Sequence, residues 1–200
     1  MPNFKELHIL EKKELKYSHR PPYRFCTFSR VMKEKGIEDA VKAVALLNEK
    51  MSSTICTLDI YGKVCESQKK WFESLMKNVP KEIAYKGCVS FDKSVEILKN
   101  YHALLFPTYY NGEGFAGTLL DAYAAGLPVI ASEWHYNTEL VENGKTGLIC
   151  KIQNVNDLME KMHYSIKHFE EWNECKEKCI DKANNYMPTR VINVLISKLG

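Results

Sequence analysis

The chain has 200 residues, 45% of them hydrophobic, and its 28 basic and 25 acidic side chains leave a formal net charge of +3. That is enough apolar material for one well-buried domain, and charges of both signs are spread along the chain, which speaks against a nucleic-acid-binding surface. No internal repeat is evident, no apolar run reaches the ~20 residues that cross a bilayer, and the N-terminus lacks an apolar signal segment, so the sequence reads as a soluble, cytoplasmic protein.

Residues 1–20 are polar and end in Pro21-Pro22, which stops a helix from running on, so they read as a linker arm ahead of a domain over 21–200. Tyr-Arg-Phe-Cys-Thr-Phe at 23–28 reads as a first strand. Ser29-Arg30, Lys33 and Lys35-Gly36 follow, then an amphipathic helix with Ile37, Ala40, Val41, Val44 and Leu47 on one face. The pattern recurs with a strand over 55–61, a helix from about Ser67 carrying Trp71, Phe72, Leu75 and Met76, a strand over 83–87 and a helix over 92–101. Such alternation predicts an α/β, Rossmann-like three-layer domain with a parallel sheet of about six strands, whose ligand lies beyond the carboxyl ends of the strands.

The next unit is the one the chain is organised around: a buried strand ending at Pro107, a loop with Gly112, Gly114 and Gly117, a helix stopped by Gly126, and a buried strand over 129–132. A glycine-rich loop feeding a helix N-terminus gathers free backbone amides and the positive end of the helix dipole, which makes an anion cradle. Two carboxylates complicate a pure phosphate reading: Glu113 sits between Gly112 and Gly114, and Asp121 follows eight residues later. A carboxylate accepts from hydroxyls and not from an ionised phosphate, so the ligand carries both phosphate and polyol. Arg30 and Lys35 supply two cations for a diphosphate from the loop after the first strand, and Gly62 falls in the loop after the second.

Beyond the cradle, the sequence predicts a short helix over 138–141, a turn over 142–145, a strand over 148–150 and a helix from near Asn156 that carries Leu158, Met159, Met162, Ile166 and Phe169. A last helix from about Thr189 is apolar around most of its circumference and needs a partner surface. His135 and Tyr136 fall past a strand end where they line either the pocket or the core, Trp134 reads as a core or interface residue, and His102 has no neighbour suggesting chemistry. The seven cysteines form no C-x-x-C pair and read as free thiols; Cys175 and Cys179, near His168, have nothing to complete a metal site.

The run Gly112-Glu113-Gly114-Phe115, Leu120-Asp121-Ala122, Gly126-Leu127-Pro128-Val129-Ile130-Ala131-Ser132, Glu139-Leu140-Val141, Asn143-Gly144 and Gly147-Leu148 resembles the C-terminal, nucleotide-sugar-binding half of family 4 glycosyltransferases of the GT-B fold. Ser29-Arg30 and Lys35-Gly36 match that family's Gly-Arg and Lys-Gly signature at the same separation. The resemblance implies a retaining hexosyltransferase in polysaccharide or glycolipid biosynthesis, in which Arg30 and Lys35 hold the donor diphosphate and Glu113 bonds the transferred sugar. Asp121 bonds the ribose, and the amides of Gly114, Phe115, Ala116, Gly117 and Thr118 contact phosphates and sugar. The family usually has Glu where this chain has Asp121, one methylene less of reach, and Gly where it has Ser29.

It further implies a nucleotide-diphosphate sugar as donor, a glycan or glycolipid acceptor, and peripheral association with the inner face of a membrane. An N-terminal GT-B half is expected in the same chain or another, without which this half is inactive. Pro2-Asn3 resembles the linker between the halves, and the 189–199 helix resembles the one that crosses back. Two cations and a helix N-terminus can stabilise a leaving diphosphate, and the chain has no Asp-x-Asp pair, so no metal cofactor is predicted.

Two alternatives stay open at this point. Gly112-x-Gly114-x-x-Gly117, with Glu133 after the next strand, spells a dinucleotide fingerprint and would suit an NAD-dependent oxidoreductase. A module that binds a nucleotide-sugar without turning it over would show the same motifs.

Overall fold

The computed structural model describes residues 8–187. Six strands and seven α-helices run through them, alternating as far as β6: β1 (Tyr23–Phe28), α1 (Ile37–Lys50), β2 (Cys56–Tyr61), α2 (Lys69–Lys77), β3 (Ile83–Gly87), α3 (Ser94–Leu98), β4 (Ala103–Phe106), α4 (Gly117–Ala124), β5 (Val129–Ser132), α5 (Asn137–Leu140), β6 (Gly147–Cys150), α6 (Val155–Lys167) and α7 (Phe169–Asn184). The six strands form one parallel sheet in the order β3-β2-β1-β4-β5-β6. This is the α/β three-layer architecture the alternation predicts.

Sheet order decides where a ligand fits. The chain steps outward from β1 to β3, then returns to the other side of β1, so the loops after β1 and β4 leave in opposite directions and open a crevice between them. Both faces are covered. On one lie α1, α2 and α6, with Ile37, Val44, Leu47, Phe72, Leu158 and Met162 against Phe25, Leu58, Ile60, Leu105 and Ile130. On the other, α3, α4 and the end of α7 meet Cys26, Leu104, Phe106 and Val129. The leading segment joins this second core: Leu10 and Leu15 are buried, and the Leu10 amide donates to the Ala124 carbonyl at 3.0 Å.

The expected elements recur with two corrections. The helix expected over 92–101 is a 3-10 turn at Phe91–Lys93 followed by the five residues of α3. Asn100 Nδ2 takes the Glu96 carbonyl at 2.8 Å, and the His102 amide is already drawn to the Arg24 carbonyl at 2.6 Å, so the chain leaves the helix to enter β4. The second correction is α7, which the sequence reading omitted by running Phe169 into α6 and placing the next helix near residue 189. The apolar stripe of α7 is sparse, made of Trp172, Cys175, Cys179, Ile180 and Ala183 at helical spacing, and cysteines weighed only as thiols hide it. The helix expected at 189–199 and the Pro2-Asn3 linker lie outside the described residues.

α7 runs past the amino ends of β4 and β6, opposite the crevice: Trp172 Nε1 donates to the His102 carbonyl at 2.9 Å, Lys176 Nζ to the Tyr101 carbonyl at 3.2 Å, and Cys179 Sγ to the Thr146 carbonyl at 3.7 Å. His102 is wholly buried beside Tyr23, Phe25 and Trp172. The Ser165 hydroxyl donates to the Met162 carbonyl, so its oxygen accepts from His102 Nε2 at 3.1 Å, while Nδ1 has no partner. Burial, then the nearby Lys176 ammonium, pushes the imidazole down to about 3 from 6.5. The unfolded chain therefore binds the extra proton between those values, and stability present above pH 6.5 is lost as pH falls toward 3, by at most roughly 5 kcal/mol. Thermal midpoints between pH 7 and pH 4 should fall more steeply for the parent than for His102→Phe; parallel curves would show that His102 does not set the acid limit.

Candidate active site

The crevice is built by two loops stitched together. After β1 the chain makes a 3-10 turn, Lys33–Lys35, closed by Gly36 at φ +69°. After β4 it runs through Pro107 into the glycine loop. The Tyr109 amide donates to the Glu34 carbonyl at 2.8 Å. A Cβ on Gly36 would lie 2.1 Å from the Pro107 oxygen, so only glycine lets the loops close to this distance.

That closure brings Lys35 to Glu113, 78 positions later. Their Nζ and Oε2 atoms are 2.5 Å apart, with side-chain exposures of 9% and 8%. Lys35 Nζ also lies 5.1 Å from the centre of the Tyr110 ring, and the exposed Arg30 guanidinium approaches the same ring at 5.7 Å. Arg30, Lys35 and Glu113 therefore meet around one loop at the carboxyl edge of the sheet.

α4 begins at the far end of that loop. Its N-cap, Ala116, offers no side-chain acceptor, so the first amides of the helix are left for a ligand, and Thr118 Oγ1 ties the helix start to the Phe28 carbonyl at 2.8 Å. A Cβ on Gly114 or Gly117 would meet nothing within 4 Å, and neither has a positive φ. Packing within the protein thus sets no requirement for glycine there, and the backbone at both positions lies open. Asp121 is buried one turn into α4, and Phe115 packs against Tyr186 with ring centres 5.4 Å apart.

Gly62 differs from these. Its φ is +133° and a Cβ would sit 1.7 Å from the Ser29 oxygen, so the fold demands glycine there to seat the β2 loop on the β1 loop, with or without a ligand. Tyr136 is exposed, His135 holds φ +44°, and Trp134 spends its indole N–H on the Tyr110 carbonyl at 2.9 Å, bracing the glycine loop. Glu133, the acid of the dinucleotide fingerprint, is exposed at the end of β5, and ten residues separate β4 from α4 where that fingerprint needs a tight turn.

Sequence reasoning did not single out the polar frame beneath the loop. Thr108, Ser132 and Asn137 are buried, and the Ser132 hydroxyl donates to the Thr108 carbonyl at 2.5 Å. A threonine closing the apolar run Leu104-Leu105-Phe106-Pro107 is the one sequence trace of it. Among the described residues no group of three His, Cys, Asp or Glu side chains is placed to hold a metal ion, and all seven cysteines are free thiols.

The model of the family described as glycosyl transferases group 1 matches residues 11–184. An uncharacterized glycosyltransferase of Methanocaldococcus jannaschii is 28% identical over 144 residues, 72% of this chain and 36% of that protein. The UDP-N-acetylglucosamine–peptide N-acetylglucosaminyltransferase GtfA subunit of Streptococcus gordonii is 28% identical over 180 residues, 86% of this chain and 34% of that protein. The chain thus spans about a third of the length of the curated relatives it matches. The crystal structure of the C-terminal domain of a glycosyl transferase group 1 family protein, LpcC, from Francisella tularensis superposes with a TM-score of 0.73 at 16% identity, covering 88% of this chain and 90% of that one.

Proposed function

Because the chain belongs to the group 1 glycosyl transferases, of the GT-B type, we propose that it is the donor-binding domain of a retaining, family 4 enzyme that takes its sugar from a uridine-diphosphate sugar. The observation that carries this reading is the meeting of Lys35 with Glu113 in the crevice between β1 and β4, ahead of the uncapped start of α4. Membership of the family displaces the NAD reading.

In this reading Arg30, Lys35 and the amides from Phe115 to Thr118 hold the diphosphate, Glu113 accepts from hydroxyls of the sugar, and Asp121 accepts from the ribose. Bond cleavage leaves a diphosphate whose growing charge is met by two cations and a helix N-terminus. That complement suffices without a divalent ion, so a chelator should leave nucleotide affinity unchanged. The sugar nucleotide in the name of the Streptococcus gordonii relative, which is also named a subunit, supports uridine as the base. A second GT-B half, in cis or in trans, would bring a glycan or glycolipid acceptor, and this domain alone would bind donor without transfer. No helix among the described residues is long and apolar enough to cross a membrane. The reading includes peripheral contact with the cytoplasmic face, where a glycolipid acceptor would lie.

A thermal-shift and calorimetry series separates the readings. UDP and at least one of UDP-glucose and UDP-N-acetylglucosamine should stabilise the chain, uridine far less, and NAD not at all. A response to NAD equal to that of UDP, or equal responses to UDP and uridine, would remove the donor-site assignment.

A further inference from the structure

The two oxygens of Glu113 are used unequally. Lys35 Nζ at 2.5 Å and Thr108 Oγ1 at 2.8 Å both bind Oε2, and neither touches Oε1. A carboxylate held through one oxygen keeps the other oxygen's lone pairs for a ligand.

Thr108 is itself held from several sides. Its hydroxyl oxygen accepts the Tyr110 amide at 3.2 Å, and its one proton goes to Glu113 in preference to the Glu34 carbonyl, which is farther at 3.3 Å. Its carbonyl accepts from Ser132 Oγ at 2.5 Å, and Asn137 Nδ2 donates to the Ser132 carbonyl at 3.1 Å. A frame anchored in β5 and α5 thus reaches the carboxylate through buried bonds at Ser132 and Asn137 and a partly buried one at Thr108, and such a network rigidifies when every member is satisfied.

We infer that Thr108 is a positioning residue: its hydroxyl, with Lys35, holds Glu113 Oε2 so that Oε1 is the oxygen that accepts from the donor sugar. The inference rests on the donor-site reading of Glu113. Without the hydroxyl, Lys35 alone holds the Glu113 carboxylate, and the three protons of an ammonium bind either oxygen equally well, so the carboxylate is free to turn.

Calorimetry of the 200-residue chain with UDP, UDP-glucose and UDP-N-acetylglucosamine tests it. The quantity read is the affinity ratio between the better-bound sugar nucleotide and UDP, because loss of the fold lowers both affinities together. Thr108→Val should lower this ratio about five- to tenfold while UDP affinity stays within about twofold, and Thr108→Ser should restore it. Should Thr108→Val fail to fold, Ser132→Ala, which releases only the Thr108 carbonyl, should lower the ratio about two- to threefold. A parental ratio in Thr108→Val or Ser132→Ala, alongside a lost ratio in Glu113→Gln, overturns the role of Thr108 and leaves the donor site standing. Equal losses for UDP and sugar nucleotide would make Thr108 a scaffold residue only. A parental ratio in Glu113→Gln removes the donor-site reading of Glu113 and this inference with it.

Discussion

Lys35→Met is expected to weaken UDP binding about a hundredfold or more while leaving uridine affinity within about twofold. One charge-assisted bond to the diphosphate accounts for about 1.5–3 kcal/mol, where about 2.8 kcal/mol is a hundredfold. A second cost follows from the geometry. Lys35 neutralises Glu113 at 2.5 Å inside a site both side chains enter almost fully, so its removal leaves an unpaired carboxylate where an anion must come. Arg30 is exposed and only approaches the Tyr110 ring, so Arg30→Ala should cost less, about tenfold, with a loss that shrinks as salt rises. Adding Glu113→Gln to Lys35→Met should recover folding stability and the part of the UDP loss that the unpaired carboxylate causes, while the loss of the direct lysine bond remains. Equal losses for UDP and uridine in Lys35→Met would reduce the lysine to a structural partner of Glu113.

Gly36→Ala should cost at least about 3 kcal/mol of folding stability and abolish UDP binding in the same variant. The new Cβ would lie 2.1 Å from the Pro107 oxygen and 2.8 Å from its carbon, backbone atoms that follow directly on β4, and φ +69° adds strain for any residue with a Cβ. Parting these loops separates Lys35 from Glu113, because each loop carries one of them. Gly117→Ala is the contrast. Its Cβ would meet nothing within 4 Å and it lies in α4, so folding should hold or improve by up to ~1 kcal/mol while UDP affinity falls. Denaturant midpoints and UDP calorimetry on the pair decide it: if Gly36→Ala folds like the parent, or Gly117→Ala binds UDP like the parent, the corresponding role is wrong.

Of the elements, β1, β3, β5 and the start of α4 were legible because each is a short apolar run or glycine-bounded segment whose character is set by its own residues. α7 was not. Its buried apolar residues are few, most of its remaining positions are polar or charged, and its stability comes from packing on α4 and on the segments that lead into β4 and β6, a surface that local periodicity cannot reveal.

By itself the sequence determined that strands alternate with helices, and therefore that Arg30, Lys35 and the glycine loop all follow strand ends and share one edge of a parallel sheet. Motif spacing also determined the chemistry of that edge, cations and amides beside a carboxylate between glycines. Only the tertiary structure decided that β4 lies against β1, that Lys35 finds Glu113 across 78 positions, and that Thr108 shares the same carboxylate oxygen. The reason is physical: periodicity records which face of an element is buried, whereas a contact between loops depends on strand order and on the few ångströms that Gly36 allows beside Pro107.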